Sequence, residues 1–198
     1  ATRLNNSGEM AFSGAQSASI VLEQQLSNQG LLQFAADATV TATSINNDDG
    51  QIYHLGSGDL SLQAAQQLTN QNGQLLSNGK LQLSATQLDN RQGSISAFAE
   101  TGESLRLNIS TVLDNRHGSI LSKGQHLTLN SAQILNQQGS VLLAGTEGMT
   151  ITAAEQLQNE QGLIHSAGSL ALTTPLLNNL QGVIQAEGNQ AQLSSQQL

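Results

Sequence analysis

Apolar and polar positions alternate along most of this 198-residue chain with a period of two. Leu105 and Leu107, for example, flank the polar Arg106, and equivalent apolar-x-apolar phrases return about every 22 residues. A period of two places successive side chains on opposite faces of a β-strand, so one face is buried. No repeat has the apolar spacing of about 3.6 residues that is typical of an amphipathic helix. The pattern therefore predicts short strands throughout the chain.

A second motif recurs between the alternating stretches. It consists of an apolar residue, a variable residue, Asn, two variable residues and Gly. It is clearest in "LDNRQGSISA" from Leu88 and "LDNRHGSILS" from Leu113. Asn and Gly both favour tight corners, and we expect Gly to take the positive φ there. Stacked Asn amides can also hydrogen-bond from one repeat to the next. The Asn of this phrase, including two shortened copies near the start, occurs at Asn6, Asn28, Asn47, Asn70, Asn90, Asn115, Asn136, Asn159 and Asn179.

The two phrases together predict an all-β protein, a parallel β-helix of about nine coils with about 22 residues each. Coils stack about 4.8 Å apart, so equivalent residues form ladders along the axis. Such stacking places Asp89 on Asp114 and Arg91 on Arg116, with diagonal Asp–Arg pairing offsetting the repulsion. We expect residues 1–198 to be a single repeat segment cut from a longer chain, because the first residues enter the pattern directly.

Composition and charge exclude several classes of function. The net charge is −8, which argues against nucleic acid as a partner, because phosphate-binding surfaces need clustered Lys and Arg. No run of 18 apolar residues is present in the sequence, so we expect no membrane span. Without Cys, disulfide and thiolate chemistry are excluded. No motif in the sequence indicates a cofactor, and we predict none.

Candidate catalytic and metal-binding residues are few. Asp48 and Asp49 form the one adjacent acidic pair, and some parallel β-helix enzymes cleave polysaccharides with paired carboxylates. Both occupy the variable positions of an Asn-x-x-Gly corner, which favours a solvated turn. The four His residues stand at non-equivalent positions, so we expect them on the surface or on strand faces, not as metal ligands: His54, His117, His126 and His165. We therefore predict no catalytic and no metal-binding residues.

The longest insertion in an otherwise regular repeat is "FAETGES", residues 98–104. Phe98 stands in it beside Glu100 and Glu103, away from the inward positions that Phe12 and Phe34 occupy. These three residues are the candidate partner-binding loop. The alternative is a loop that folds over and caps a groove.

The phrases "LDNRQGSISA", "LQNEQGLIHSAGSLAL" and "LLNNLQGVIQAEG" resemble haemagglutinin repeats. Such repeats form the shafts of filamentous haemagglutinin and of contact-dependent growth inhibition toxins, which are exported by two-partner secretion. The resemblance covers essentially the whole chain. It implies a right-handed parallel β-helix, secreted or on the surface of a Gram-negative bacterium, with an outer-membrane secretion partner and a host or target-cell receptor.

Three functions follow as hypotheses. The first is a structural and adhesive shaft segment, not an enzyme, that presents a distal receptor-binding or toxin part. The second is a polysaccharide lyase or hydrolase on the same architecture. The third is the receptor-binding segment itself. Thinly spread acidic residues favour the shaft, because an enzyme needs several on one strand face in neighbouring coils.

Overall fold

Parallel pairing joins every strand of the described chain, residues 1–197, to strands about one repeat away. Leu198, the last residue of the predicted segment, lies outside the described residues in this computed structural model. No helix occurs within residues 1–197. The strands are β1 (Arg3–Asn6), β2 (Glu9–Phe12), β3 (Ala18–Val21), β4 (Gln25–Asn28), β5 (Leu31–Phe34), β6 (Ala38–Asn46), β7 (Gln51–His54), β8 (Asp59–Thr69), β9 (Gln74–Ser77), β10 (Lys80–Asp89), β11 (Ser94–Ala97), β12 (Glu103–Asp114), β13 (Ser119–Ser122), β14 (His126–Leu135), β15 (Ser140–Leu143), β16 (Gly148–Gln158), β17 (Leu163–Ser166), β18 (Ser169–Thr173), β19 (Leu176–Asn178), β20 (Val183–Ala186) and β21 (Ala191–Ser194).

Two parallel sheets make up the solenoid. The first contains nine short strands in the order β2-β5-β7-β9-β11-β13-β15-β17-β20. The second contains 12 strands, and its main path is β1-β4-β6-β8-β10-β12-β14-β16-β18-β21. Neighbours in each sheet come from successive coils, so the chain winds through about nine turns roughly 22 residues apart. The predicted all-β parallel solenoid is confirmed.

The long strands of the second sheet turn a corner near their middle. Register shifts interrupt their pairing there, for example between Ala42 and Ser44 and between Ser131 and Gln133. Small side chains are buried at this bend, and they include Ala42, Ala64, Ala85, Ser131 and Ala153. A long strand therefore supplies two sides of a coil, and a short strand of the first sheet supplies the third.

Apolar ladders fill the interior as the alternation predicts. Leu105 aligns with Leu81 in the preceding coil and with Leu127 in the following one. All three are 0% exposed, whereas Arg106 between two inward leucines is exposed. Burying a leucine of this kind contributes roughly 1.5–3 kcal/mol, and the ladder repeats that contribution in every coil.

An uninterrupted amide ladder runs through the corners. From Asn6 to Asn159, each ladder Asn Nδ2 donates to the Asn Oδ1 of the following coil, which gives eight hydrogen bonds of 2.6 to 2.8 Å among the nine positions. Asn47 Nδ2 also donates to the Gly50 carbonyl in its own corner and to the Gln74 carbonyl of the next coil, both at 3.2 Å. The seven ladder asparagines from Asn28 to Asn159 are each 0% exposed. The predicted ladder is confirmed, and it satisfies polar groups that would otherwise be costly to bury.

The corner glycine has a different role from the one predicted. Positive φ falls on the residue before it, at 52° to 58°, in Asp49, Asn72, Gln92, His117, Gln138, Gln161 and Gln181. Gly102, outside these corners, is the one glycine of residues 1–197 with positive φ. A Cβ on Gly118 would lie 2.2 Å from the Asn90 carbonyl oxygen. The prediction of positive φ at the corner Gly is therefore wrong: glycine is needed because the preceding coil approaches its Cα too closely for a side chain.

Charged residues stack beside the ladder as the repeated phrase predicts. Asp89 and Asp114 are aligned between β10 and β12. Arg91 Nη2 lies 2.7 Å from Asp89 Oδ2, and Arg116 Nη2 lies 2.6 Å from Asp114 Oδ2. Arg91 Nε also approaches Asp114 Oδ2 at 3.8 Å, which is the diagonal contact. The hydrogen bond to Asp89 raises the pKa of the Arg91 guanidinium above its ordinary value.

Candidate functional site

The insertion at residues 98–104 begins directly after β11, includes the first two residues of β12 and is anchored on the next coil. Gly102, with a positive φ of 66°, is the last residue before β12. The Gly102 carbonyl then accepts hydrogen bonds from the Gln125 N–H at 3.0 Å and the His126 N–H at 3.1 Å. The loop is therefore held in place by backbone hydrogen bonds.

Phe98 is half-buried at the start of this loop. Lys123 Nζ, from the following coil, stands 4.7 Å from the centre of the Phe98 ring. A cation over an aromatic face is attracted by the ring quadrupole, by about 0.5–1 kcal/mol at an exposed site. The ring face that a partner could use is thus partly occupied by a residue of the chain itself.

Glu103 belongs to the strand face, not to the loop tip. Its carboxylate accepts from Arg106 Nε at 2.8 Å and from the Thr128 hydroxyl. Glu100, by contrast, is exposed near the tip. No hydrogen bond or ion pair joins Phe98, Glu100 and Glu103 to one another within residues 1–197. The three predicted residues therefore have separate environments instead of forming one site.

Sequence reasoning missed Ser104, which the insertion turns inward. The pairing of β12 with β14 shifts register between Glu103 and Leu105, and Ser104 is 1% exposed. Its Oγ accepts from the Gly124 N–H at 3.1 Å and hydrogen-bonds to the Ser122 hydroxyl. An extra residue before the Leu-x-Leu phrase is the sequence signal that could have indicated this bulge.

Asp48 and Asp49 occupy a corner, as predicted. The Asp48 carboxylate accepts from the Gln71 N–H of the next coil at 2.8 Å and from the Asn46 side-chain amide at 3.1 Å. Asp49 is exposed and has φ of 57°. Both contacts of Asp48 stabilise the turn, so the geometry gives this pair a structural role.

Three of the four histidines lie at or near the surface, as expected. His126 pairs with Glu147, and His165 Nε2 lies 3.0 Å from Glu187 Oε1. His54 differs, because it is 0% exposed inside the solenoid. Three His, Asp, Glu or Cys side chains do not come together at metal-binding distance anywhere in the described chain.

Residues 1–197 contain no helix that is long and apolar enough to cross a membrane.

Three CdiA proteins are similar in sequence to this chain. The tRNA nuclease CdiA of Yersinia mollaretii is 34% identical over 180 residues, which cover 89% of this chain and 6% of that protein. The deoxyribonuclease CdiA of Dickeya dadantii is 34% identical over 186 residues, 88% of this chain and 5% of that protein. Toxin CdiA of Yersinia pestis is 25% identical over 170 residues, 81% of this chain and 5% of that protein. The chain thus spans a small part of the length of these relatives.

No solved structure matches the chain. The haemagglutinin repeat family matches residues 3–57, 55–97, 102–161 and 150–198, which together include all nine corner asparagines. The family's repeats therefore coincide with the coils whose amides form the ladder, and this chain belongs to the haemagglutinin repeat family.

Proposed function

We propose that this chain is a shaft segment of a long secreted exoprotein on the surface of a Gram-negative bacterium. It is exported by two-partner secretion with an outer-membrane partner, and it holds a distal receptor-binding or toxin part away from the cell. The observation that carries the proposal is the ladder of nine amides, hydrogen-bonded without a break at 2.6 to 2.8 Å.

Continuous ladders favour a stiff rod. About nine turns at about 4.8 Å per coil give a rod of about 40 Å. The relatives named as toxins match this chain over 5 to 6% of their length, which supports a larger parent protein of which these coils are a part. We also propose that the segment itself is not an enzyme, since Asp48 is engaged in stabilising its turn.

Deletion of a whole coil tests the proposal that the segment is a shaft. Residues 115–135 run from one ladder Asn to the residue before the next, so their removal brings Asn136 under Asn90. We expect the parent exoprotein without these residues to be secreted and to keep the activity of its distal part. Deletion of residues 115–125, half a coil, is the matched control and should disrupt folding and secretion. Loss of receptor binding or killing after the whole-coil deletion, with secretion intact, would contradict a shaft.

We propose as a second function that the loop at residues 98–104 contacts the receptor. Its backbone is anchored by the two hydrogen bonds to Gly102, and Glu100 is left exposed at the tip. Glu100→Lys should then weaken binding of the labelled segment to target cells at least severalfold. Glu23→Lys, at a distant exposed carboxylate, serves as the control. If both variants bind target cells as well as the unaltered chain does, the loop is excluded as the receptor contact.

A further inference from the structure

One interior column of the solenoid is chemically mixed. It consists of the last residue of each short strand, and its first eight members are Phe12, Phe34, His54, Ser77, Ala97, Ser122, Leu143 and Ser166. The rings of Phe12 and Phe34 are stacked with centroids 5.2 Å apart. His54 comes next after Phe34 in register and is 0% exposed. An imidazole therefore follows the two stacked phenyl rings in this column.

The two ring nitrogens of His54 have unequal surroundings. Nδ1 lies 2.8 Å from the Ser77 hydroxyl of the next coil. Nε2 is buried and has no hydrogen-bond partner among the described residues. The Ala36 backbone lies near the ring and raises the pKa of His54, which offsets part of the effect of burial. A Cβ on Gly56 would lie 3.1 Å from Nε2, so the following corner closes over this side of the ring.

The charged groups that face His54 are two carboxylates on neighbouring segments. Asp37 precedes β6, and Asp59 begins β8. The strands on either side present Phe34 and Ser77, which carry no charge. Burial lowers the pKa of His54 below its ordinary value, and Asp37 offsets this in part. Asp37 is itself exposed and accepts from the Asp59 N–H at 3.0 Å, so it does not neutralise the ring by direct contact.

We propose that His54 is an acid-sensitive switch that opens the coils around it, residues 25–77, when its ring binds a proton, while later coils stay closed. The charged ring needs a second hydrogen-bond partner, and the folded core does not provide one at Nε2. Each coil contacts its neighbours alone, so a defect in one coil spreads to the coils beside it and not along the whole rod.

The direction of the pH effect follows from linkage. An unfolded His has a pKa of about 6.5, and burial lowers that of folded His54. Between these two values the open state binds the proton and the closed state does not. The stability from neutral His54 is therefore complete above about pH 6.5 and is lost as pH falls through the folded pKa, by up to about tenfold in the opening constant per pH unit.

Hydrogen exchange with mass spectrometry tests the proposal, with wild type and variants compared at the same pH so that intrinsic exchange cancels. His54→Phe places a third phenyl side chain after Phe12 and Phe34 in the column and removes the titrating group. His54→Ser introduces the side chain that the column already has at Ser77, Ser122 and Ser166. It is the second variant without a titrating group, for the case in which the Phe ring does not fit. His117→Gln is the control, because Gln occupies the equivalent corner position at Gln92 and Gln138.

The pH is lowered from about 7.5 to about 5, a range in which His titrates. Wild type and His117→Gln should then lose severalfold more protection at residues 25–77 than the His54 variants do. Equal losses in wild type and both variants, or a loss spread evenly over the rod, would overturn the proposal. The imidazole resonance of His54 gives a second measurement that needs no variant. A folded-state midpoint at or above about 6.5 would also overturn it.

Discussion

Asn90 and Asn115 are 25 residues apart, the widest interval in the ladder, yet Asn90 Nδ2 lies 2.7 Å from Asn115 Oδ1. The interval between Asn28 and Asn47 is 19 residues, and the corresponding distance is also 2.7 Å. Coil length therefore varies without altering the stacking of the corners. The extra residues of the longest coil lie at a different corner, in the loop at residues 98–104.

Removing one rung should break the ladder on both sides. Asn115→Ala deprives Asn90 Nδ2 of its shortest acceptor contact and Asn136 Oδ1 of its donor. We expect a loss of about 1–3 kcal/mol in the free energy of unfolding for each buried group left unpaired, measured by urea denaturation. Asn108→Ala is the control, since Asn108 pairs with Asn130 at the surface; it should change stability by less than about 0.5 kcal/mol. Equal effects would show that the ladder does not stabilise the fold.

Close approach, not backbone conformation, should make the corner glycine irreplaceable. The Cβ of Gly118→Ala would meet the Asn90 carbonyl oxygen at 2.2 Å, and relieving that overlap should cost about 1–3 kcal/mol. The Gly14→Ala variant meets no atom nearer than Gln16 N at 4.0 Å, so its melting temperature should stay near that of the unaltered chain. A tolerated Gly118→Ala would mean that adjacent coils separate easily.

Inward leucines should dominate stability. Leu107→Ala or Leu129→Ala removes a 0% exposed side chain and should cost about 2–5 kcal/mol. Arg106→Ala, next to Leu107, loses the ion pair with Glu103 on the surface and should cost at most about 1 kcal/mol. A urea melt in which Arg106→Ala is the worse variant would contradict the observed strand register.

The isolated segment should not turn over polysaccharides. Incubation with pectin, alginate and glycosaminoglycans, followed by assays for reducing ends and unsaturated products, measures this directly. The expectation rests on Asp48, whose carboxylate is engaged with the Gln71 N–H and the Asn46 amide. Turnover that Asp48→Asn abolishes would favour an enzyme over a shaft.

At neutral pH the central coils, residues 47–162, should exchange amide hydrogens most slowly. Strands there have neighbours on both sides, whereas β20 is half-exposed and β21 is exposed. The outermost coils of the isolated segment should fray, and the segment should associate end to end at high concentration, since unpaired strand edges are templates for pairing. Lower protection between Leu81 and Leu129 than at residues 3–12 would argue against stacked coils.

Stacking explains how much the sequence could predict. A coil that must lie on its neighbour repeats the same residues, so the Asn ladder, the Leu-x-Leu ladder and the alignment of Asp89 with Asp114 were all predictable. The right-handed sense of the winding stays a prediction. The position of positive φ was missed because Gly is favoured both by that conformation and by close packing, and only the neighbouring coil distinguishes the two.

The interior of the short strands was less predictable. His54 stands at a position that Phe, Ser, Ala and Leu fill in other coils, so no apolar signature marks it as inward. Ser104 was missed for a related reason, since the insertion shifts the strand by one residue. The candidate loop was found from its length, but the pairing of Phe98 with Lys123 depends on how the loop folds back.

The amide ladder gives the rod a direction. From Asn6 to Asn159, each ladder Nδ2 donates toward the next coil on the C-terminal side. The carbonyl oxygens that surround it, such as those of Gly50 and Gln74 near Asn47, exclude the flipped amide. A break between any two coils would leave a donor on one surface and an acceptor on the other. Two such rods can therefore join tail to head through their corners, whereas head-to-head contact opposes like groups. The solenoid is thus a polar rod: each coil presents amide acceptors on one face and amide donors on the other, so it pairs with a coil of the same orientation and not with an inverted one.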